Sequence, residues 1–319
     1  MRAGGKTLTQ LGNPRIFLIL RSLAGGPKSQ LELRRDAGAP AQSTLRGHCR
    51  ALEAAGAIER HRRNSFPGTL EYALTERGRE LIVVAASLQV WLDTAPNGPV
   101  ELGGDLARAA IKGLADSWSV TVLTTLAAGP LSLTELDKQI AAVSYPTIER
   151  CLETMRIAEQ LDVGERTSRG TPYTIREWLR RGLTPLILAA RWEHRHETDE
   201  VDAIDQTDIE DAIRLGGPLI ELPKGLNGLC QFAVRIPGGE KQGRTFGFLR
   251  VSDGQMTFAA ANPPTEPDAL ASGTMDTWFA SLIDADTTGL RMSGDHELAG
   301  AILGGIHEAL FKGLALIPK

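Results

Sequence analysis

Residues 39–81, APAQSTLRGHCRALEAAGAIERHRRNSFPGTLEYALTERGREL, decide how this 319-residue chain folds. From Ser43 the apolar positions Leu45, Cys49, Leu52 and Ala55 recur at helical spacing, which leaves Gln42, Thr44, Arg46, Gly47, His48 and Arg50 on or near the other side. Gly56 stops that helix. Ala57-Ile58-Glu59-Arg60 then reads as a strand, His61 to Gly68 as a turn crowded with positive charge, and Leu70 to Leu74 as a second strand. A polar, basic helix followed by a basic hairpin is the build of a winged helix, in which the helix serves the major groove and the hairpin tip the neighbouring phosphates.

The flanks complete the unit. Pro14 to Leu23 is a helix with Ile16, Phe17, Ile19 and Leu20 as its core face, and Gly25-Gly26-Pro27 breaks it. Ser29 caps a short helix from Gln30 to Arg35, and Gly38-Ala39-Pro40 turns into the next one. Thr75 caps a last helix running to about Trp91, before the linker Thr94 to Pro99. Leu20 to Pro27, Glu32-Leu33, Glu71-Tyr72-Ala73-Leu74-Thr75-Glu76-Arg77-Gly78-Arg79-Glu80-Leu81 and Trp91 resemble the HxlR family of winged helix-turn-helix transcription regulators over most of Leu11 to Leu92. One departure is visible, since that family commonly carries a Trp near the start of its first core helix and Arg15 follows Pro14 here.

The pattern then recurs. At an offset of 103 residues, Leu11 falls on Leu114, Leu20 on Leu123, Gly26-Pro27 on Gly129-Pro130, Ser29 on Ser132, Glu32-Leu33 on Glu135-Leu136 and Thr44 on Thr147. After a slip of two residues near the wing, Tyr72 falls on Tyr173 and Trp91 on Trp192. A second winged helix is expected, with Trp118 restoring the family Trp, a recognition helix from Tyr145 to Glu159 and a wing from Gly164 to Pro172.

Beyond an acidic, polar stretch at Thr198 to Asp208, strands at Cys230–Ile236, Arg244–Val251, Gln255–Ala261 and Ala269–Ser272 precede a helix from Met275 to Ile283. A strand at Gly289–Ser293 and an amphipathic helix from Asp295 to Phe311 follow. An α+β domain with a mainly antiparallel sheet covered by helices is expected. Its element order and the passage Gly289 to Ala299 resemble the lipid-binding domain of sterol carrier protein type 2, over about Ile209 to Leu310. That resemblance implies an apolar ligand between sheet and helices, with Phe232, Val234, Phe246, Phe248, Met256, Phe258, Trp278, Phe279, Leu282, Leu298, Ile302 and Ile306 as lining. From strand alternation and helix spacing alone, the same residues are simply a buried face.

Charge is segregated. Leu11 to Leu92 holds 12 basic and 7 acidic residues, a net of +5; Leu114 to His196 holds 10 of each; Glu197 to Lys319 holds 9 and 19, a net of −10. Only the first segment has the footprint that attracts a polyphosphate. In it, Gln42, Ser43, Thr44, Arg46, His48, Arg50, Arg62, Arg63 and Asn64 are the candidate DNA contacts; in the second copy, Tyr145, Thr147, Arg150, Arg166 and Arg169. Glu149 and Glu153 stand where the first copy has Arg46 and Arg50, so the second helix is poorly suited to phosphate.

Other chemistry is missing. Cys49, Cys151 and Cys230 are far apart in apolar patterns and read as buried thiols, with no cysteine near the N-terminus of the kind some HxlR relatives use to sense oxidants. Glu193-His194-Arg195-His196 places its two His side chains apart on a helix end, a surface feature rather than a metal site. There is no phosphate-loop or nucleophile-elbow pattern, no apolar run of about eighteen residues and no signal-peptide core, so no enzyme, cofactor, metal or membrane is expected and the protein is read as cytoplasmic. The expectation is three domains (1–95, 96–197 and 206–319) in one monomeric regulator, which binds double-stranded DNA through an internal pseudo-dimer and senses an apolar or lipid-like molecule. The alternative is a lipid carrier whose winged helices are protein contacts.

Overall fold

The protein is described from a computed structural model that covers residues 3–62, 70–196, 204, 206–235, 244–259 and 265–312. The expected wing tip with Arg63 and Asn64, most of the acidic stretch and Ile236 lie outside the described residues, as does the side chain of Phe246.

The N-terminal block runs α1 (Gly5–Leu11), α2 (Pro14–Ala24), β1 (Lys28–Ser29), α3 (Gln30–Asp36), α4 (Gln42–Ala54), β2 (Ile58–Arg62), β3 (Leu70–Leu74) and α5 (Glu76–Asp93). Local chemistry sets these limits. Asn13 caps α2 through the Arg15 amide, with Pro14 supplying a φ already suited to the first helical position. Ser29 and Glu32 form a reciprocal capping box on α3, which holds the Glu32 carboxyl below its usual range. Thr75 accepts from the Gly78 amide to start α5. A Cβ on Gly78 would collide with the Ala57 carbonyl, so the motif glycine lets α5 lie tight against the sheet.

A second block repeats this order: α6 (Asp105–Ala115), α7 (Ser117–Leu126), β4 (Leu131–Ser132), α8 (Leu133–Gln139), α9 (Tyr145–Ile157), β5 (Leu161–Val163), β6 (Pro172–Ile175), α10 (Glu177–Arg181) and α11 (Leu183–His196). Its sheet order, β4-β6-β5, parallels β1-β3-β2. The registers agree as well, Lys28 opposite Tyr72 and Ile58 opposite Leu74 in one, Leu131 opposite Tyr173 and Leu161 opposite Ile175 in the other. Ser132 and Glu135 rebuild the capping box. One element departs: the counterpart of α5 is divided into α10 and α11. Arg176 stands where Thr75 caps and gives no side-chain cap, and Pro185 removes the amide that would have bonded back to Arg181.

The two blocks are joined by a crossed pair of indole bonds. Trp91 Nε1 donates to the Trp178 carbonyl at 2.7 Å, and Trp192 Nε1 donates to the Arg77 carbonyl at 2.9 Å. Trp192 and Trp178 lie 101 residues beyond Trp91 and Arg77, so each bond is the other's image in the repeat. Trp178 also donates to the Trp91 carbonyl at 2.9 Å and stacks on its ring at 5.0 Å. A Cβ on Gly182 would crowd the Trp91 ring, which makes that glycine part of the joint. Glu193 of α11 accepts from the Gly4 and Thr7 amides at 2.6 and 2.9 Å, capping α1, which packs on α6 and α11.

The C-terminal part comprises α12 (Gln206–Gly216), β7 (Gly228–Val234), β8 (Arg244–Ser252), β9 (Gln255–Ala259), β10 (Ala269–Gly273), α13 (Met275–Asp284), β11 (Arg291–Gly294) and α14 (His296–Phe311). Strand order is β11-β10-β7-β8-β9, antiparallel except where β10 runs parallel to β7 at the centre. It is docked on the second block rather than tethered beside it. Arg180, 9% exposed, donates to the Leu215 carbonyl at 2.6 Å, Thr184 donates to the Leu310 carbonyl at 2.7 Å, and Arg191 pairs with Asp284 at 3.0 Å.

Trp91→Ala removes a buried ring and strands the Trp178 carbonyl, and is expected to lower unfolding free energy by about 3–5 kcal/mol. Trp118→Ala, at a ring 49% exposed, is the control and should cost far less. Urea unfolding followed by far-UV circular dichroism measures both; equal costs would show that the crossed joint does not hold the blocks together.

Candidate nucleic-acid interface and cavity

Helix α4 buries Leu45, Cys49 and Leu52 and leaves Gln42, Ser43, Arg46, Gly47 and Arg50 exposed, with Thr44 half-buried. Arg46 and Arg50, one turn apart, therefore share an outward face that can meet bases or phosphates. His48 is half-buried. Its Nε2 has no hydrogen-bond partner among the described residues, and burial together with the nearby Arg15 charge lowers its pKa, so a neutral ring faces inward at neutral pH. The hairpin is braced from behind, because Arg60 pairs with Glu53 near the end of α4. His61 is held by Glu59 at 2.9 Å, and Arg62 is exposed at the last described position before the tip.

In the second block α9 buries Ile148, Cys151, Leu152 and Met155 and exposes Tyr145, Glu149, Arg150 and Glu153, while Thr147 is half-buried against Ser144 at 2.9 Å. Arg166 and Arg169 are exposed on the turn between β5 and β6, which closes on itself through Thr167 and Gly170. The two faces thus match in position but not in charge.

Sequence reading missed a third cluster. A groove of about 900 Å³ opens between the blocks, edged by Asn13 and Arg15 from one and by Arg108, Lys112, Asp116 and Ser117 from the other. Asn13 and Asp116 lie 103 residues apart, and each caps the helix that follows it, α2 and α7. The signal was available in the 103-residue offset, but only a known joint between the blocks turns it into a shared wall.

The apolar residues of the C-terminal part do not all meet. One cavity, of about 110 Å³, takes Phe232, Trp278, Phe279, Leu282 and Ile306 from the expected set. Met256 and Phe258 belong to a separate groove, where Arg214 lies 4.5 Å over the Phe258 ring. Leu298 and Ile302 are solid core at 0% exposure, Phe248 is buried in the sheet, and Val234 is half-buried away from the cavity. Strand alternation identifies a face, whereas the packing of α13 and α14 decides which part of that face stays open. The rest of the lining comes from α12, from Leu186, Ile187 and Ala190 of α11, and from Ala3, Ile204, Ile220, Met275 and Leu310, so the space lies at a joint and not within the sheet-and-helix layer alone.

His194 is exposed at the helix end, whereas His196 is half-buried. His196 meets Glu80 of α5 at 2.9 Å and His194 faces Asp276 at 3.5 Å, each across a different joint. Burial raises all three thiols, Cys49 to about 11 and Cys230 to about 12. Among the described residues there is no group of three or more potential metal ligands, and no helix is long and apolar enough to cross a membrane.

Residues 11–97 match the model of the HxlR-like helix-turn-helix family. Uncharacterized HTH-type transcriptional regulators of Mycobacterium tuberculosis and Mycobacterium bovis are each 35% identical over 98 residues, 30% of this chain and 61% of theirs. The chain thus spans about three fifths of the length of these curated relatives. The crystal structure of diamide-treated YodB from B. subtilis aligns at 30% identity with a TM-score of 0.26, covering 28% of this chain and 87% of that one.

Native protein at pH 8 should react with iodoacetamide at far fewer than its three thiols within an hour, and with all three in denaturant, because thiolate is scarce and access is closed. Intact-mass spectrometry counts the adducts; full labelling of the native protein would contradict the burial.

Proposed function

We propose that this protein is a DNA-binding transcription regulator in which two winged helices of one chain act as a pseudo-dimer, with a C-terminal domain that takes an apolar small molecule. The single observation that carries this reading is the crossed joint: Trp91 to Trp178 and Trp192 to Arg77 relate the HxlR-like domain to the second block as two protomers of an isologous dimer are related. Helix-turn-helix dimers need two recognition helices set about 34 Å apart along the groove, and α4 and α9 are the pair available here.

The work is divided unequally. Arg46, Arg50 and Arg62 supply the phosphate and guanine contacts of the first head. In the second, Glu149 and Glu153 repel phosphate, so Tyr145, Arg150, Arg166 and Arg169 bind at the margins of that face, and a cytosine amino group is the one base edge that suits the carboxylates. Arg15 and Lys112 line the groove between the heads and grip the phosphates that pass it. The C-terminal part is read as a sterol-carrier-protein-type-2-like domain on the strength of its element order and the strand-Gly-Asp-helix passage into α14, where Asp295 caps the helix through the Leu298 amide. The charge segregation favours this regulator over a lipid carrier, since the net positive charge sits on the block that holds α4.

Selection from random duplexes followed by fluorescence anisotropy tests the reading. Affinity for the selected duplex should fall by orders of magnitude between about 50 and 200 mM salt. Arg46→Ala should cost more affinity than Arg150→Ala, by about 1–3 kcal/mol for a lost bidentate contact. Light scattering should give one chain per minimal site; two chains, equal losses in both heads or a flat salt response would each argue against it.

A further inference from the structure

We infer that the cavity beside α11 is an effector seat shared by all three parts of the chain, sized for a single small ring or a branched hydrocarbon of about six carbons rather than a sterol or acyl chain. This rests on the reading of the C-terminal domain as a ligand binder and does not depend on DNA binding.

Size comes first. At about 110 Å³ the space is on the scale of the roughly 150 Å³ apolar cavity that accepts benzene, and well below the ~300 Å³ floor of pockets for drug-sized molecules. Chemistry comes next. Among the described residues Asp208 is the single charged one in the lining, and the surfaces are otherwise those of Leu, Ile, Met, Phe, Trp and Ala side chains, so among the described residues a carboxylate or phosphate headgroup has no cation to meet.

Position gives the seat its consequence. Helix α11 has two working stripes at helical spacing. Ala189, Trp192, Glu193 and His196 face the N-terminal block: Ala189 lies against Gly4, Trp192 bonds the Arg77 carbonyl, Glu193 caps α1 and His196 meets Glu80. Ile187, Ala190, Arg191 and His194 face the other way, the first two onto the cavity and the last two onto Asp284 and Asp276. Ala3, directly before the Gly4 amide that Glu193 holds, also lines the cavity. An occupant therefore touches the N-terminal part, the second block and the C-terminal domain at once, and tightens α1 against α11.

Fluorobenzene, followed by ¹⁹F NMR on the full chain without DNA, is the probe. Saturable binding at one site is expected, with palmitate unable to displace it. Ala212→Phe, which projects a ring into the cavity from α12, should weaken binding at least about tenfold. Leu282→Ala should admit fluoronaphthalene, and it keeps the test open if the filled variant does not fold. Hydrogen exchange over residues 4–11 should slow about tenfold with fluorobenzene bound, within the usual span of a coupling between sites. Absence of saturable binding, displacement by palmitate, or binding that both variants leave unchanged would overturn the seat and its size. Binding with unaltered exchange at α1 would overturn the sharing. A separate anisotropy titration of the same sample with the selected duplex shows whether the regulator reading stands, and its failure leaves these results intact.

Discussion

Two indole N–H groups, each reaching a carbonyl on the opposite block, are the constraint on which the architecture depends. A buried N–H without a partner costs on the order of 1–3 kcal/mol, so Trp91 and Trp192 are confined to places where the Trp178 and Arg77 carbonyls lie within reach. Satisfying both at once leaves little freedom for one block to turn against the other. The orientation of α4 relative to α9 follows from that joint, as does the groove edged by Arg15 and Lys112.

The two blocks differ in backbone where the joint lies. The first copy keeps Thr75 as cap and a continuous α5; the second loses the cap, gains Gly182 and Pro185, and breaks into α10 and α11. Gly182 admits the Trp91 ring, and the break frees α11 to present different stripes to two neighbours. In this chain α11 is also the floor on which the C-terminal part is docked.

That docking is built from polar contacts at the edge and apolar contacts at the centre. Arg180 remains charged though buried, since its guanidinium is not deprotonated in proteins, and burial lowers its pKa only from a very high starting value. Its bond to the Leu215 carbonyl fixes the end of α12, while Thr184 fixes the end of α14. The apolar space between these two anchors is what the packing leaves open.

The sequence alone determined the local and the repeated. Periodicity at Leu45, Cys49 and Leu52, the caps Ser29, Thr75 and Ser132, and the turn glycines specify helices and hairpins because these depend on near neighbours. The 103-residue offset specified that the order would recur, and it carried the contrast between Arg46 with Arg50 and Glu149 with Glu153. What tertiary structure alone decided is which surfaces meet. Trp178 is an ordinary residue of a short helix until Trp91 stacks on it. His196 reads as a solvent-facing helix end until Glu80 arrives from a segment 116 residues away. Phe232 and Trp278 share a cavity from which Leu298 and Ile302 are excluded, although all four are apolar and fall on buried faces. A period of 2 or 3.6 residues fixes the direction in which a side chain leaves its own element, and only the packing of distant elements fixes what it finds there.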